Sequence, residues 1–171
     1  MTASPIAPAW LSLPADANAL DPAVWPQNAH RGSGGEVEFA GVSASELASR
    51  FGTPLYVVDE ADARSRARAI RDAFQTEAGA IGTTATVYYA AKALLTIEVA
   101  RWMADEGLWI DVCSGGELAV ALAAGVDAAR MALHGNNKSL AEIDRAVGVG
   151  IGVIVIDSAL EIERVAEAAG R

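Results

Sequence analysis

The sequence predicts an α/β fold of parallel strands joined by crossover helices. Five short apolar runs, Leu55–Val58, Thr86–Ala91, Trp109–Cys113, Met131–His134 and Val153–Ile156, are each followed by a helical pattern. The starts at 86, 109, 131 and 153 lie 23, 22 and 22 residues apart. The runs are built from β-branched and small residues, as in strands covered on both faces. Strand then helix at this spacing means parallel strands with helical crossovers. An open doubly wound sheet and a closed (β/α)8 barrel both satisfy that pattern. The near-constant step favours the barrel, and no G-x-G-x-x-G follows the first run, which weighs against a dinucleotide-binding sheet. An eight-stranded barrel typically needs roughly 250 residues. About the first five βα units are therefore expected here, as the front part of a longer protein, with an unusual five-stranded sheet as the other reading.

Residues 1–35 read as an extended N-terminal arm. Five of the six prolines lie in residues 1–26, no hydrophobic period is sustained, and Trp10 and Trp25 suggest that the arm packs on something. Residues 36–53 read as a short strand, Glu36–Phe39, and a helix that lead into the barrel. Ser43 and Glu46 have capping-box spacing, and Gly52 with Pro54 ends the helix. Residues 54–171 form the incomplete barrel. Ala63, Ala67, Ile70 and Phe74 make one apolar helical stripe. Ser139-x-x-Glu142 and Ser158-x-x-Glu161 are further capping boxes, and glycines at 107, 125, 148 and 170 stand where C-caps belong.

Composition removes several function classes. With 171 residues, 52% of them hydrophobic, the chain suits one domain and is not disordered throughout. A formal net charge of -9 repels phosphate backbones, so no nucleic-acid partner is expected. The single cysteine, Cys113, excludes an intrachain disulfide, and without a Cys/His cluster no metal site is expected. The N-terminus lacks a basic n-region and no apolar stretch is long enough to span a membrane, so the default expectation is a soluble cytoplasmic protein. Of the 13 basic residues only Lys92 and Lys138 are lysines, which directs attention to both.

Lys92 closes the second apolar run, the end of a parallel strand where sites form. Held among apolar neighbours, a lysine is pushed towards the neutral amine that Schiff-base chemistry needs. The plainer alternative is a lysine snorkelling out at a strand end. Asp111 lies within an apolar run and needs a partner, for which Lys92 on the neighbouring strand is the natural choice. Its alternative is to cap the next helix, with Glu117 as a first-turn residue complementing the dipole. Ser114-Gly115-Gly116 is a weak anion-loop signal. Cys113 reads as a small core residue, because no basic activator adjoins it in sequence. His134-Gly135-Asn136-Asn137-Lys138-Ser139 is a dense polar loop, in which His134 reads first as a hydrogen-bonded turn residue.

Together, Tyr88-Tyr89-Ala90-Ala91-Lys92-Ala93, Asp111 to Leu118 and His134 to Ser139 resemble the pyridoxal-phosphate (PLP) decarboxylases of the alanine-racemase-like barrel type. Gly52 to Glu60 is also similar. Within that group the resemblance is nearest to the diaminopimelate decarboxylases, and it runs from about residue 25 onward. It implies a parallel PLP-binding (β/α)8 barrel followed by a β-domain that is absent here, in a homodimer with sites at the subunit interface. It implies Lys92 as the Schiff-base lysine for PLP, with Asp111 and Glu117 orienting Lys92 or a neighbouring arginine. His134, Asn136 and Lys138 match the loop near the cofactor.

The implied reaction is decarboxylation of meso-2,6-diaminopimelate to L-lysine. The alternatives are decarboxylation of ornithine, arginine or a carboxylated polyamine precursor, an alanine racemase or small PLP carrier, and a non-catalytic barrel fragment. The resemblance places the stacking histidine, the phosphate loop and the substrate-reading residues downstream of residue 171. The chain alone is therefore expected to lack decarboxylase activity.

Overall fold

Three strands early in the chain pair antiparallel in the order β1-β2-β3: β1 (Ala29–Arg31), β2 (Val37–Phe39) and β3 (Val42–Ser43). Residues 29–31, read from the sequence as part of the arm, are thus a strand. Phe39 pairs with Val42 across a two-residue turn in which Ala40 (φ 49°) and Gly41 (φ 83°) are both left-handed, the geometry that matches strand twist in a tight hairpin. Trp25 stacks on Phe39 at 6.1 Å, whereas Trp10 is exposed. Helix α1 (Ala44–Phe51) starts where expected, with the Glu46 N–H donating to Ser43 Oγ at 3.2 Å. The Glu46 carboxylate turns to Arg50 instead of back to the cap, so only half of that capping box forms. These elements lie in the first of two compact units, ending at Asp62 and beginning at Ala63, into which the chain divides in the computed structural model, which describes residues 8, 10 and 16–170.

Leu55–Val58, expected as the first barrel strand, belongs to no sheet among the described residues, and Tyr56 is 96% exposed. Apolar, β-branched composition keeps the segment extended, but a strand exists only through a ladder with a neighbour. The hydrogen-bonded parallel sheet therefore has four strands, in the order β4-β5-β6-β7: β4 (Tyr88–Ala90), β5 (Trp109–Val112), β6 (Met131–Leu133) and β7 (Val153–Ile154). Three of them begin at the positions read from the sequence. Their ends fall one or two residues early, so Lys92, Cys113 and His134 stand beyond the ladder.

Helices α3 (Ile97–Asp105), α4 (Gly115–Ala123), α5 (Leu140–Gly148) and α6 (Ala159–Ala169) follow the four strands in turn. Ile110, Val112, Met131 and Leu133 are fully buried on one face of the sheet, in a cluster with Val99, Met103, Leu118 and Ala121. Each such large side chain contributes roughly 1.5–3 kcal/mol relative to exposure. After α5 the left-handed glycine is Gly150 (φ 70°), while Gly148 remains helical.

Helix α2 (Glu60–Ala80) docks through a stripe that periodicity only partly identified. Ala63 and Ala67 pack on the core, but Ile70 and Phe74 are exposed. The attachment is completed by ions: Glu106, 6% exposed, takes Arg68 at 2.7 Å and Arg64 at 2.6 Å, and Arg71 donates to its carbonyl. The two guanidiniums hold the Glu106 carboxyl below the usual carboxylate range. No helix among the described residues is long and apolar enough to cross a membrane.

The entry to β7 depends on a close backbone approach. Gly152 donates its N–H to the Ala128 carbonyl at 2.9 Å, and a Cβ there would lie 2.1 Å from the Ala129 carbonyl oxygen. Gly152→Ala must push two main-chain segments apart, an overpacking that costs about 1–3 kcal/mol. A lowered urea midpoint with an unchanged slope is the expected result.

Candidate active site

All four parallel strands end at one edge of the sheet, the edge at which parallel α/β folds collect functional side chains. The register aligns Ala90, Asp111 and Ala132 across β4, β5 and β6. Two residues further along each strand come Lys92, Cys113 and His134, so an amine, a thiol and an imidazole follow one another along this edge.

Lys92 lies in a single 3-10 turn, Ala91–Ala93, and not on the strand itself. The Tyr89 hydroxyl donates to the Leu94 carbonyl at 2.6 Å and clasps this turn, a role that sequence reasoning missed. Lys92 is exposed, so the apolar surroundings expected for it are not found. Its amine has no hydrogen-bond or ion-pair partner among the described residues. The charges of Lys92 and Asp111 both act on the Cys113 thiol, the first lowering and the second raising its pKa. Desolvation and the Glu117 carboxylate dominate, and they push the thiol up.

Asp111 was expected to pair with Lys92. Its partner is His134 Nδ1. His134 follows Ala132, the cross-strand neighbour of Asp111, by two residues, so its ring meets the carboxylate, while the 3-10 turn carries Lys92 out of the ladder. The His134 N–H donates to the Val112 carbonyl at 2.8 Å, which fixes the backbone beneath a ring whose side chain is 47% exposed.

Cys113 is exposed, not a core residue, because β5 ends at Val112 and leaves it at the rim. Glu117 takes the Cys113 N–H at 2.7 Å and lies 3.3 Å from Sγ, while its own N–H donates to Ser114, the N-cap of α4. Ser114-x-x-Glu117 is thus another Ser-x-x-Glu start, and the spacing already recognised at 139–142 and 158–161 is the signal that would have found it.

Asn136 is exposed in the loop after β6. Lys138 is buried at 3% exposure, and its ammonium donates to the Gly135 carbonyl, the Val155 carbonyl at 2.6 Å and Glu161 at 3.0 Å. Glu161 also takes the Asp157 N–H, and that bond followed by Lys138 holds its carboxyl below the ordinary value. Glu142 completes a full capping box with Ser139 and takes the Gly115 N–H at 2.7 Å, linking the starts of α4 and α5. These bonds, those to Ser139 first, lower its pKa as well. The sequence showed Glu142 and Glu161 only as helix caps. In the structure Glu142 completes its box and also takes the Gly115 N–H, whereas the Glu161 carboxylate turns to the Asp157 N–H and to Lys138, so only the Ser158 half of that box forms.

Residues 61–171 match the family described as pyridoxal-dependent decarboxylase, pyridoxal binding domain. The chain belongs to this family. Diaminopimelate decarboxylase from Mycobacterium tuberculosis is 52% identical over 151 residues, 88% of this chain and 32% of that protein. The crystal structure of diaminopimelate decarboxylase from M. jannaschii matches with a TM-score of 0.72 at 29% identity, over 84% of this chain and 33% of that one. A co-complex of the M. jannaschii enzyme with L-lysine gives 0.71 at 28% identity, over 85% and 33%. The chain therefore spans about a third of the length of these relatives. The fold class follows: this is part of a parallel PLP-binding decarboxylase barrel, with four βα units joined in one sheet and the Leu55–Val58 segment unpaired.

The cofactor of the pyridoxal-dependent decarboxylases is pyridoxal 5'-phosphate, and the residues present fit it. Covalent capture of an aldehyde needs an accessible primary amine with no competing partner. Of the two lysines, Lys138 has all three ammonium hydrogens engaged, and Lys92 has no partner among the described residues.

Proposed function

We propose that this chain carries the covalent anchor of a PLP-dependent decarboxylase that converts meso-2,6-diaminopimelate to L-lysine. The observation that carries the reading is the contrast between two lysines, Lys138 saturated and buried, Lys92 exposed and, among the described residues, without a partner at the end of the sheet where β5 and β6 also stop. When bound, PLP supplies an electron sink for the pair left on the substrate carbon as CO2 departs.

Lys92 Nζ would hold the cofactor. Asp111, braced on His134, and Glu117, braced on the Cys113 N–H, set the shape and negative charge of the rim around that amine. Asn136 is exposed in the loop that follows β6, in a pocket that Cys113 also lines. Lys138, with Glu161, fixes the loop that carries His134 and Asn136, so its contribution to the cofactor's site is positional. A homodimer acting in the cytoplasm is the assembly and location that the resemblance implies.

The test is CO2 release, with PLP, by a chain extended to the full length of the decarboxylase relatives, comparing meso-diaminopimelate with ornithine and arginine; residues 1–171 alone should release none. Release from meso-diaminopimelate should exceed that from either competitor at least tenfold in kcat/KM, a difference of about 1.4 kcal/mol in transition-state binding. Equal or faster release from ornithine or arginine would overturn the substrate assignment.

A further inference from the structure

The turn that carries Lys92 is held in place by its neighbours more than by itself. Ala91–Ala93 is a single 3-10 turn with no side-chain cap, and Leu94 after it is extended. So short a turn has too few internal bonds to be stable alone. On its strand side Ala91, 2% exposed, is sunk in the core, and Tyr89 pairs with Ile110 in the ladder between β4 and β5. Beyond it the chain returns to the core at Leu95. Between those anchors Lys92, Ala93 and Leu94 are all exposed. The Tyr89 hydroxyl ties that exposed stretch back to β4 by donating to the Leu94 carbonyl at 2.6 Å. Alternation along β4 puts Val87, Tyr89 and Ala91 on the packed face, so the phenol stands on a ring lodged against the core. Burial pushes the Tyr89 phenol above its ordinary value, and the hydroxyl keeps the proton it donates through neutral pH.

We propose that Tyr89 is a positioning residue for the Lys92 amine; this rests on Lys92 being the anchor. Tyr89 touches no reacting atom. Its hydroxyl closes the loop from residue 89 to residue 94 and so fixes the direction in which the Lys92 side chain leaves the backbone. The amine then searches only the torsions of its own side chain, without the added swing of a loose turn. Capture of an aldehyde that is itself bound is sensitive to such placement, because a displacement of about 1 Å can cost about 100-fold in rate. A one-carbon aldehyde free in solution reaches an exposed amine from any side and does not depend on it.

The test uses a chain extended to the full length of the decarboxylase relatives and freed of PLP, and it needs no turnover. PLP or formaldehyde is added, the reaction is quenched with borohydride over time, and peptide mass mapping reads the label at Lys92. Tyr89→Phe keeps the ring and removes only the hydroxyl. Its capture of PLP should be about tenfold slower, while its capture of formaldehyde stays within about twofold of the parent. Unchanged PLP capture would overturn the proposal. So would equal slowing with both aldehydes, which would mean that the hydroxyl governs access to the amine and not its placement. A Tyr89→Phe chain that does not fold, judged by circular dichroism, would assign the hydroxyl to the fold and overturn it as well. A parent protein that takes formaldehyde but no PLP at Lys92 defeats the anchor reading itself, and the proposal falls with it.

Discussion

Lys92→Ala is expected to abolish covalent retention of PLP and, with it, decarboxylation. The expected loss is complete because no second amine at the rim is free: the Lys138 ammonium is held by the Gly135 and Val155 carbonyls and by Glu161. Lys92→Arg should fail equally, since it keeps the charge but is not a usable nucleophile. Borohydride reduction of the PLP-treated protein, followed by peptide mapping, should place the label on the peptide containing Lys92. A label on Lys138 would refute the assignment, because it requires a buried amine to abandon three acceptors. The side chain of Lys92 lies at the surface, so the variant should keep its unfolding midpoint, which separates chemistry from stability.

Lys138→Met is expected to produce the largest loss of stability. It leaves Glu161 charged and buried with its backbone donor at Asp157, and it strips the Gly135 and Val155 carbonyls of their donor. Removing one partner of a buried pair typically costs about 3–5 kcal/mol. Adding Glu161→Leu to Lys138→Met should recover part of that loss, because an apolar pair is often as stable as the ion pair it replaces. Urea unfolding measures both effects, and a single variant as stable as the parent would show that the pair contributes nothing.

The same residues set the acid limb of stability. The carboxyls of Glu161 and Glu142 are lowered in the folded chain. Their stabilising contribution is complete above the unfolded carboxylate value of about 4.3 and is lost as pH falls through their lower folded values. Urea midpoints should therefore fall with acidification in that window. The fall should be shallower in Glu161→Gln, which starts from a lower midpoint at neutral pH.

Much of the architecture was legible in sequence because it is written in short-range patterns. The recurrence of apolar runs at 109, 131 and 153 reports a repeated strand and helix unit. The Ser-x-x-Glu starts at 139 and 158 report caps that close within four residues. Lys92 could be singled out because one of only two lysines closed such a run, and the resemblance of its surroundings to a PLP family added the chemistry.

Other features depend on residues far apart in the chain. Leu55–Val58 has the composition of a strand but no partner among the described residues, and pairing is a property of two segments. Ile70 and Phe74 continue an apolar stripe, yet Arg64 and Arg68 on Glu106 attach the helix more than those two side chains do. Asp111 meets His134 and Lys138 meets Glu161 across 23 residues in each case, and no local spacing marks either pairing. Only the parallel register, which places Ala90, Asp111 and Ala132 in one row, decides which side chains share the rim. Periodicity and capping thus fixed the elements and their order from the sequence alone, since they act within a turn or two of chain. The tertiary structure decided which lysine is free and which carboxylate holds the imidazole, because those outcomes depend on where separate strands end.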